Sequence, residues 1–215
     1  MFKSILSRHW DSLHPILQKH YDIKDNESMT LYGRLTVKHG NAIKILMPLI
    51  RISKALVPVE GDDFEVIVVN KRLGESYCWD RQFKKDGNVY PFQSKMQRMD
   101  NDIIEFVGLG IGIRMGLEVS NGSLHYVDKG YVIKIGSMIL PIPIHLLVGR
   151  SEISETVNDT DEHDFTMQFV MKHPWFGFMF SYEGFFDVAS EPDKGVQCDN
   201  TSPSDRENIS PTLQN

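Results

Sequence analysis

The sequence predicts an α+β fold, in which an antiparallel β meander curls into a barrel or half-barrel and a few helices pack on it. From residue 64 onward, the chain consists of short apolar segments separated by turns. Asp86-Gly87 and Asn121-Gly122 stand between apolar runs, where such pairs favour hairpin turns. A meander has two exposed edges unless it closes on itself, so a curled sheet is expected. The strands are expected at 64–71, 75–84, 88–94, 103–109, 111–119, 123–128, 130–138, 151–157, 164–172 and 176–187.

The last of these strands has the most unusual composition. Seven of the fourteen residues in 173–186 are aromatic. Phe176, Phe178, Phe180 and Tyr182 occur at every second position, the period that places side chains on one face of a strand. An aromatic face of this size must fill a large apolar space. That space is either a packed core or a ligand cavity, and the sequence leaves both open.

The chain before the meander predicts helices on either side of one further strand. Apolar residues recur at helical spacing over 2–21, and Pro15 predicts a kink or two short helices there. Residues 29–38 alternate between apolar and polar side chains, which indicates a half-buried strand. Helical spacing returns over 42–56. One or two N-terminal helices and a helix near 42–56 are therefore expected to pack on the sheet.

Length and composition favour one domain with a polar tail. A chain of 215 residues fits a single domain, for which the pattern predicts the bounds 1–188. Residues 189–215 are rich in Ser, Asp, Asn and Pro and contain almost no bulky apolar side chains. Such a segment buries too little surface to offset its ordering entropy, so it is predicted to be disordered.

Charge and hydropathy exclude some classes of protein. The net charge of −6 argues against a nucleic-acid-binding protein, which needs a basic face to neutralise phosphates. The two cysteines do not indicate a disulfide framework, so a reducing compartment is favoured. The longest apolar run, 135–149, is interrupted by two prolines and a histidine and is too short to span a bilayer. We expect a cytoplasmic protein without a membrane span.

An arginine among aromatic residues is the best candidate for a site. Trp79, Arg81 and Phe83 share one face of the strand predicted at 75–84. A buried arginine needs a partner, because removing one member of a buried pair costs about 3–5 kcal/mol. Three carboxylates stand in otherwise apolar strands: Glu105, Glu118 and Glu183. A structural ion pair is one interpretation. The other is a site in which Arg81 binds a ligand carboxylate or phosphate and the aromatic rings enclose its apolar body.

Local motifs for catalysis, metals or nucleotides are absent from the sequence. Residues 108–112 read GLGIG, but a dinucleotide loop requires a following helix, and 114–119 predicts a strand. The chain contains no GxSxG, HExxH or CxxC motif. We therefore expect no metal and no cofactor, and a non-catalytic role is favoured over catalysis.

The order of several short motifs resembles a known family. The motifs are Leu13-His14-Pro15, His20-Tyr21, Trp79-x-Arg81-x-Phe83, Phe92-Gln93-Ser94, Glu105 with Gly108, and Gly177 followed by Tyr182-Glu183-Gly184. Over residues 10–187 this order resembles the bacterial family called domain of unknown function 4166. The resemblance implies no established chemistry. Some members are joined to nicotinamide-binding domains similar to saccharopine dehydrogenase, which implies an accessory role beside a separate oxidoreductase partner.

The motif residues define a candidate ligand-binding site. It comprises Trp79, Arg81, Phe83, Ser94, Glu105, Tyr182 and Glu183. The leading hypothesis is a non-catalytic module that binds a small amphipathic or apolar anion. The alternative is a protein-interaction or accessory domain with a filled core. A third hypothesis is an enzyme that uses Glu105 or Glu183, beside Arg81, as an acid or base. A core packed to ordinary interior density would leave no room for a ligand.

Overall fold

The computed structural model describes residues 1–53, 55–157 and 162–189, and within them eleven strands form one sheet. The strands are β1 Ser28–His39, β2 Gly61–Leu73, β3 Ser76–Lys85, β4 Asn88–Met99, β5 Asp102–Phe106, β6 Ile111–Ser120, β7 Ser123–Ile135, β8 Met138–Ile142, β9 Arg150–Thr156, β10 Phe165–His173 and β11 Gly177–Val188. The α-helices of the same residues are α1 Phe2–Leu6, α2 Pro15–Tyr21, α3 Asn41–Ile45, α4 Met47–Ser53 and α5 His145–Val148. Apart from Ala189, the tail predicted to be disordered lies outside the described residues.

Ten of the strands close into an antiparallel barrel. The order around it is β6-β5-β4-β3-β2-β1-β11-β10-β9-β7, and the pairing of β7 with β6 completes the ring. β8 is an extra strand that pairs with β7. Each strand of the ring has a neighbour on both sides, so the ring has no exposed edge. The predicted curled meander is confirmed, in its fully closed form.

The N-terminal residues 2–21, which we call the N-terminal plug, fill one end of the barrel. A 3₁₀ segment, Ser7–Ser12, joins α1 to α2, and Pro15 starts α2 where a missing N–H is tolerated. The ring of Phe2 stacks on Tyr21 with 4.0 Å between ring centroids and meets Tyr77 edge-on. The backbone N–H of His14 donates to the Gly122 carbonyl at 2.9 Å. The predicted break at Pro15 is confirmed.

The helical segment predicted at 42–56 lies at the opposite end of the barrel as α3 and α4. Ile43 and Ile50 are buried in the core, while Ile45 and Ile52 point outward. Among the described residues, no helix is both long enough and apolar enough to cross a bilayer.

Two predicted strands, 123–128 and 130–138, are one strand in the structure. The register of β7 against β6 shifts where Arg114 pairs with Gly130 and Met115 pairs with Asp128. Lys129 is the extra residue, and the positive φ of Gly130 (110°) suits the bulge. The local turn signal therefore marks a bulge, and the strand continues through it.

The prediction of one wholly aromatic face over 176–182 is wrong. Phe180 and Tyr182 are buried inside the barrel, whereas Phe176 and Phe178 are exposed. Phe178 pairs with Lys172, and Phe180 pairs with the adjacent residue Met171. Met179, between the two phenylalanines, therefore has no partner of its own on β10 and forms a bulge. A bulge of this kind reverses the direction of every side chain on one side of it.

Candidate functional site

One small cavity lies among polar side chains inside the barrel. The cavity has a free volume of about 10 Å³, which is room for about one water molecule. Its polar lining consists of His20, Trp79, Arg81, Glu155 and Tyr182, and the rest of the wall is aliphatic and aromatic. We call this cavity the inner chamber. The surrounding interior is filled by side chains, so most of the aromatic surface forms a packed core.

Arg81 lies between two aromatic rings next to the inner chamber. Its guanidinium carbon is 4.5 Å from the Trp79 ring centroid and 5.0 Å from that of Phe92. Arg81 pairs with Phe92 across β3 and β4, and Trp79 pairs with Ser94, so alternation turns all of them inward. Such contacts between a cation and desolvated rings stabilise the charge by about 2 kcal/mol or more.

The Arg81 charge is also fully paired. One terminal nitrogen of Arg81 donates to Glu105 Oε1 at 2.8 Å, and the other donates to Ser94 Oγ at 2.9 Å. Ser94 Oγ in turn donates to Glu105 Oε1 at 2.6 Å. We call Arg81, Ser94 and Glu105 the Arg81 cluster. Its charges neutralise each other within the fold.

Six of the seven residues of the predicted site lie together in the interior. Phe83 is buried and meets Tyr182 edge-on at 6.4 Å between ring centroids, beside the Arg81 cluster. Glu183 lies on the outer surface, where its side chain is 44% exposed and pairs with Lys38 at 3.4 Å. Because Tyr182 points inward, its neighbour on the strand must point outward. The inclusion of Glu183 in an interior site was therefore wrong, and Glu118, also considered as a partner of Arg81, is exposed as well.

A second buried cluster surrounds Glu155 of β9. Tyr21 Oη donates to Glu155 Oε1 at 2.6 Å, and Tyr126 Oη lies 3.4 Å from the same oxygen. The two tyrosine hydroxyls also form a short hydrogen bond with each other. His20 Nε2 accepts a hydrogen bond from Asn70 Nδ2 at 2.7 Å. This bond places the hydrogen of a neutral His20 ring on Nδ1. We call His20, Tyr21, Tyr126 and Glu155 the Glu155 cluster.

Burial changes the protonation of the Glu155 cluster. It raises the pKa of Glu155 to about 7, although hydrogen bonds from Tyr21 and Tyr126 act in the opposite direction. Burial also lowers the pKa of His20 to about 3. The pKa values of both tyrosines lie well above their usual range, mainly because burial disfavours the phenolate. At neutral pH, His20 is uncharged and Glu155 is divided between its two forms.

Three residues that line the inner chamber each carry a buried polar atom without a hydrogen-bond partner among the described residues. These atoms are His20 Nδ1, Trp79 Nε1 and Glu155 Oε2. His20 Nδ1 and Glu155 Oε2 are 3.8 Å apart, which is too far for a hydrogen bond. Each buried polar group left without a partner costs about 1–3 kcal/mol. A water molecule or a polar ligand group in the chamber would restore these hydrogen bonds.

Sequence comparison assigns the chain to a family. The family described as Domain of unknown function (DUF4166) matches residues 13–186. The chain belongs to this family. Every residue of the Arg81 and Glu155 clusters lies inside the matched part of this DUF4166 domain.

Two solved structures are similar to the DUF4166 domain at low identity. The crystal structure of Rv2717c from M. tuberculosis is 11% identical, with 82% of this chain and 99% of that chain covered and a TM-score of 0.43. The dehydratase domain from the CurF module of Curacin polyketide synthase is 7% identical, with 83% and 81% covered and a TM-score of 0.16. No curated protein matches the chain.

The Glu155 cluster was not predicted from the sequence. Its only local signal was the segment Ser151-Glu-Ile153-Ser-Glu155, whose alternation puts Glu155 on the same face as the apolar Ile153. His20 and Tyr21 belonged to a family motif without an assigned role. Among the described residues, no group of three or more His, Cys, Asp or Glu side chains is arranged to hold a metal ion in this DUF4166 domain.

Proposed function

We propose that this domain is a non-catalytic binding barrel whose inner chamber takes the acid end of a small amphipathic molecule. One observation supports this proposal above all others. His20 Nδ1, Trp79 Nε1 and Glu155 Oε2 are buried without hydrogen-bond partners among the described residues, and all three residues line one cavity. Buried polar groups without partners are rare in folded proteins, and a shared ligand gives these three a common explanation.

The chemistry of the lining suits a ligand oxygen. Trp79 Nε1 is a donor only, and the tautomer of His20 set by Asn70 makes Nδ1 a donor as well. Glu155 is protonated below its raised pKa of about 7 and then also donates. A carboxyl group accepts through two oxygens and so matches several convergent donors. Arg81, already bound to Glu105, contributes its positive potential rather than a new ion pair.

The remainder of the wall suits an apolar body. Leu31, Val66 and Met167 line the chamber together with aromatic rings. The free space of about 10 Å³ is far below the roughly 300 Å³ of a drug-sized pocket, so a ligand must be small or must displace lining side chains. Met167 is unbranched and flexible, and it is the lining residue best able to move.

Isothermal titration calorimetry with acetate, butyrate, octanoate and decanoate at pH 6 and pH 8 tests the proposal. We expect at least one of these acids to bind with a dissociation constant in the micromolar range. We expect binding to weaken about tenfold at pH 8, because ionised Glu155 then repels the carboxylate. Failure of all four acids to bind at pH 6 would overturn the proposal.

Two variants separate the chamber from the surface. Trp79→Phe removes the indole N–H while keeping an aromatic ring, and we expect it to weaken binding at least fivefold. Lys38→Met removes a charge from the exposed pair with Glu183 and should leave affinity unchanged. Equal affinities of the parent chain and Trp79→Phe would remove the chamber from the binding site.

A second candidate is an accessory or interaction domain that works with a separate oxidoreductase or another protein. The observation that favours it is the filled interior, which leaves room for about one water molecule. Absence of acid binding, together with a reproducible oxidoreductase partner in pull-down experiments, would support this candidate. We propose no catalytic role for Glu105, which is bound by Arg81 and Ser94, or for the exposed Glu183. A cytoplasmic location stays a prediction.

A further inference from the structure

Exposed apolar side chains gather at one end of the barrel. Of the fifteen large apolar residues that are exposed in the described chain, all except Tyr32 and Val127 lie at the end opposite the N-terminal plug. They are Ile45, Leu49, Ile52, Val89, Leu109, Ile135, Met138, Leu140, Leu146, Leu147, Trp175, Phe176 and Phe178. We call this end the apolar end. Concentrated exposed apolar surface marks an interaction site in a folded protein.

The antiparallel topology brings these segments to the same end. The N-terminal plug lies where β1 begins and β11 finishes, and α3 and α4 follow the far end of β1. The Gly40 N–H donates to the Met179 carbonyl at 2.7 Å, which sets α3 beside the start of β11. Lys172 pairs with both Phe178 and Arg150, so the turn between β10 and β11 is level with α5 and the start of β9. The projecting segments therefore form one arc along neighbouring strands.

A histidine holds two of these segments in place. His173 is buried, and its Nδ1 accepts hydrogen bonds from the backbone N–H groups of Trp175 and Phe176 at 3.1 and 3.3 Å. Its Nε2 then carries the hydrogen and donates to the Leu146 carbonyl of α5 at 3.1 Å. Trp175 is nevertheless 81% exposed and Phe176 is 60% exposed. The fold thus fixes the backbone of this turn and leaves two large rings in solvent.

The apolar end has a charge pattern unlike that of the whole chain. The chain has a net charge of −6, yet its segments 40–53, 106–113, 131–150 and 171–179 contain five lysines and arginines and no Asp or Glu. The carboxylates Glu60, Asp62, Asp63 and Asp86 of the same end stand elsewhere, at the start of β2 and between β3 and β4. Three of the five pair with carboxylates of other segments: Lys44 with Glu60, Arg150 with Asp128 and Lys172 with Glu152. Arg51 and Lys134 have no ion-pair partner among the described residues. These four segments are therefore apolar and basic at once.

We propose that the apolar end docks on an anionic phospholipid surface. Trp175, Phe176 and the leucines of α5 enter the interface between headgroups and acyl chains. Arg51 and Lys134 meet the lipid phosphates. Aromatic and aliphatic side chains interspersed with cations are the pattern by which proteins lie on a membrane without crossing it. This proposal does not depend on the inner chamber.

The charge pattern favours a membrane over two other partners. A second copy docked through the same four segments would bring cations against the same cations, with no carboxylate on these segments to meet them. β11 ends at the plugged end, where Val188 pairs with Leu31, and the sequence of residues 190–215 has few bulky apolar side chains. A lipid surface supplies both the apolar layer and the negative charge that these four segments lack.

Intrinsic tryptophan fluorescence measures the docking directly. Trp10 and Trp79 are buried, so a change on adding vesicles reports on Trp175. We expect a blue shift with vesicles of phosphatidylcholine containing about 30% phosphatidylglycerol, and partitioning at least tenfold stronger than to phosphatidylcholine alone. Raising the salt concentration should weaken the binding, because salt screens the attraction of exposed cations.

Matched variants locate the surface. Trp175→Ser/Phe176→Ser should lose at least tenfold in co-sedimentation with the anionic vesicles and keep the parent circular dichroism spectrum. Tyr32→Ser, which alters another exposed ring (54%) away from the apolar end, should bind as the parent does. The proposal is overturned if the parent does not bind anionic vesicles, or if it forms a dimer that the double substitution dissolves.

Discussion

The Arg81 cluster and the Glu155 cluster lie side by side in one barrel but differ in how completely their polar groups are paired. Arg81, Ser94 and Glu105 form a closed set of hydrogen bonds of 2.6–2.9 Å. Glu155 keeps one oxygen, and His20 one nitrogen, without a hydrogen-bond partner among the described residues. Both clusters border the inner chamber, and the charge of Arg81 acts to lower the pKa of Glu155.

The difference separates a structural role from a binding role. In the Arg81 cluster the two charges already neutralise each other, so an anionic ligand would have to compete with Glu105 for Arg81. A cluster with unused donors and a carboxyl group that titrates near neutral pH gains hydrogen bonds when a polar group enters. Arg81, which the sequence suggested as the receptor for an anionic ligand, is thus already bound within the Arg81 cluster.

The largest expected effect on stability comes from breaking the ion pair of the Arg81 cluster. Arg81→Met leaves Glu105 buried without its cation, and we expect it to lower the free energy of unfolding by about 3–5 kcal/mol in urea denaturation. Arg81→Met/Glu105→Leu removes both charges and should recover at least half of that loss.

Lys38→Met provides the control for this pair, because it breaks an exposed ion pair with Glu183 and should change stability by at most about 1 kcal/mol. A loss in Arg81→Met no larger than in Lys38→Met would show that the buried pair is unimportant for stability.

The second-largest effect is a pH dependence of stability that comes from the Glu155 cluster. Glu155 has a pKa of about 7 in the fold, against 4.5 for an ordinary glutamate, so the folded state binds its proton more tightly than the unfolded state. Its contribution to stability is complete below pH 4.5 and is lost as pH rises to 7. We expect the stability of the parent relative to Glu155→Gln to fall by about 3 kcal/mol between pH 4.5 and pH 7.5.

Urea denaturation of both proteins across this pH range measures the difference. His20, whose pKa is lowered to about 3, makes the fold more stable as pH rises from 3 to 6.5, but it is present in both proteins and cancels. A difference that stays constant with pH would mean that Glu155 is ionised in the fold at pH 5.

The smallest effect concerns an unpartnered atom outside both clusters. Thr30 Oγ1 is buried in β1 without a hydrogen-bond partner among the described residues, and it does not line the inner chamber. Thr30→Val replaces the hydroxyl by a methyl group of similar size and should stabilise the fold by about 1 kcal/mol. Thermal or urea unfolding measures this gain. Calorimetry should show unchanged acid binding, and weaker binding would mean that the chamber is not the site.

Local sequence patterns predicted much of the fold and the inward face that carries Arg81, but not the Glu155 cluster. Alternation along β3 placed Trp79, Arg81 and Phe83 on one face, and the energetic need for a counter-charge left three possible partners, of which the structure selects Glu105. The same alternation, applied to β11, would have placed Glu183 outside as soon as Tyr182 was placed inside. The prediction of one aromatic face over 176–182 failed because the bulge at Met179 reverses the direction of the side chains on one side of it. The alternating sequence pattern gives no sign of this bulge.

The sequence by itself determined a curled meander of strands with an arginine among inward-facing aromatic residues, because strand periodicity acts over a few residues. Closure of the barrel and the pairing of Arg81 with Glu105 come from the tertiary structure. Only the tertiary structure decided that Tyr21 and Glu155, 134 residues apart, share a hydrogen bond. That meeting depends on how β7 closes the ring and how the N-terminal plug enters it. The gathering of apolar segments at one end has the same origin, since strand direction in the closed barrel fixes which loops become neighbours.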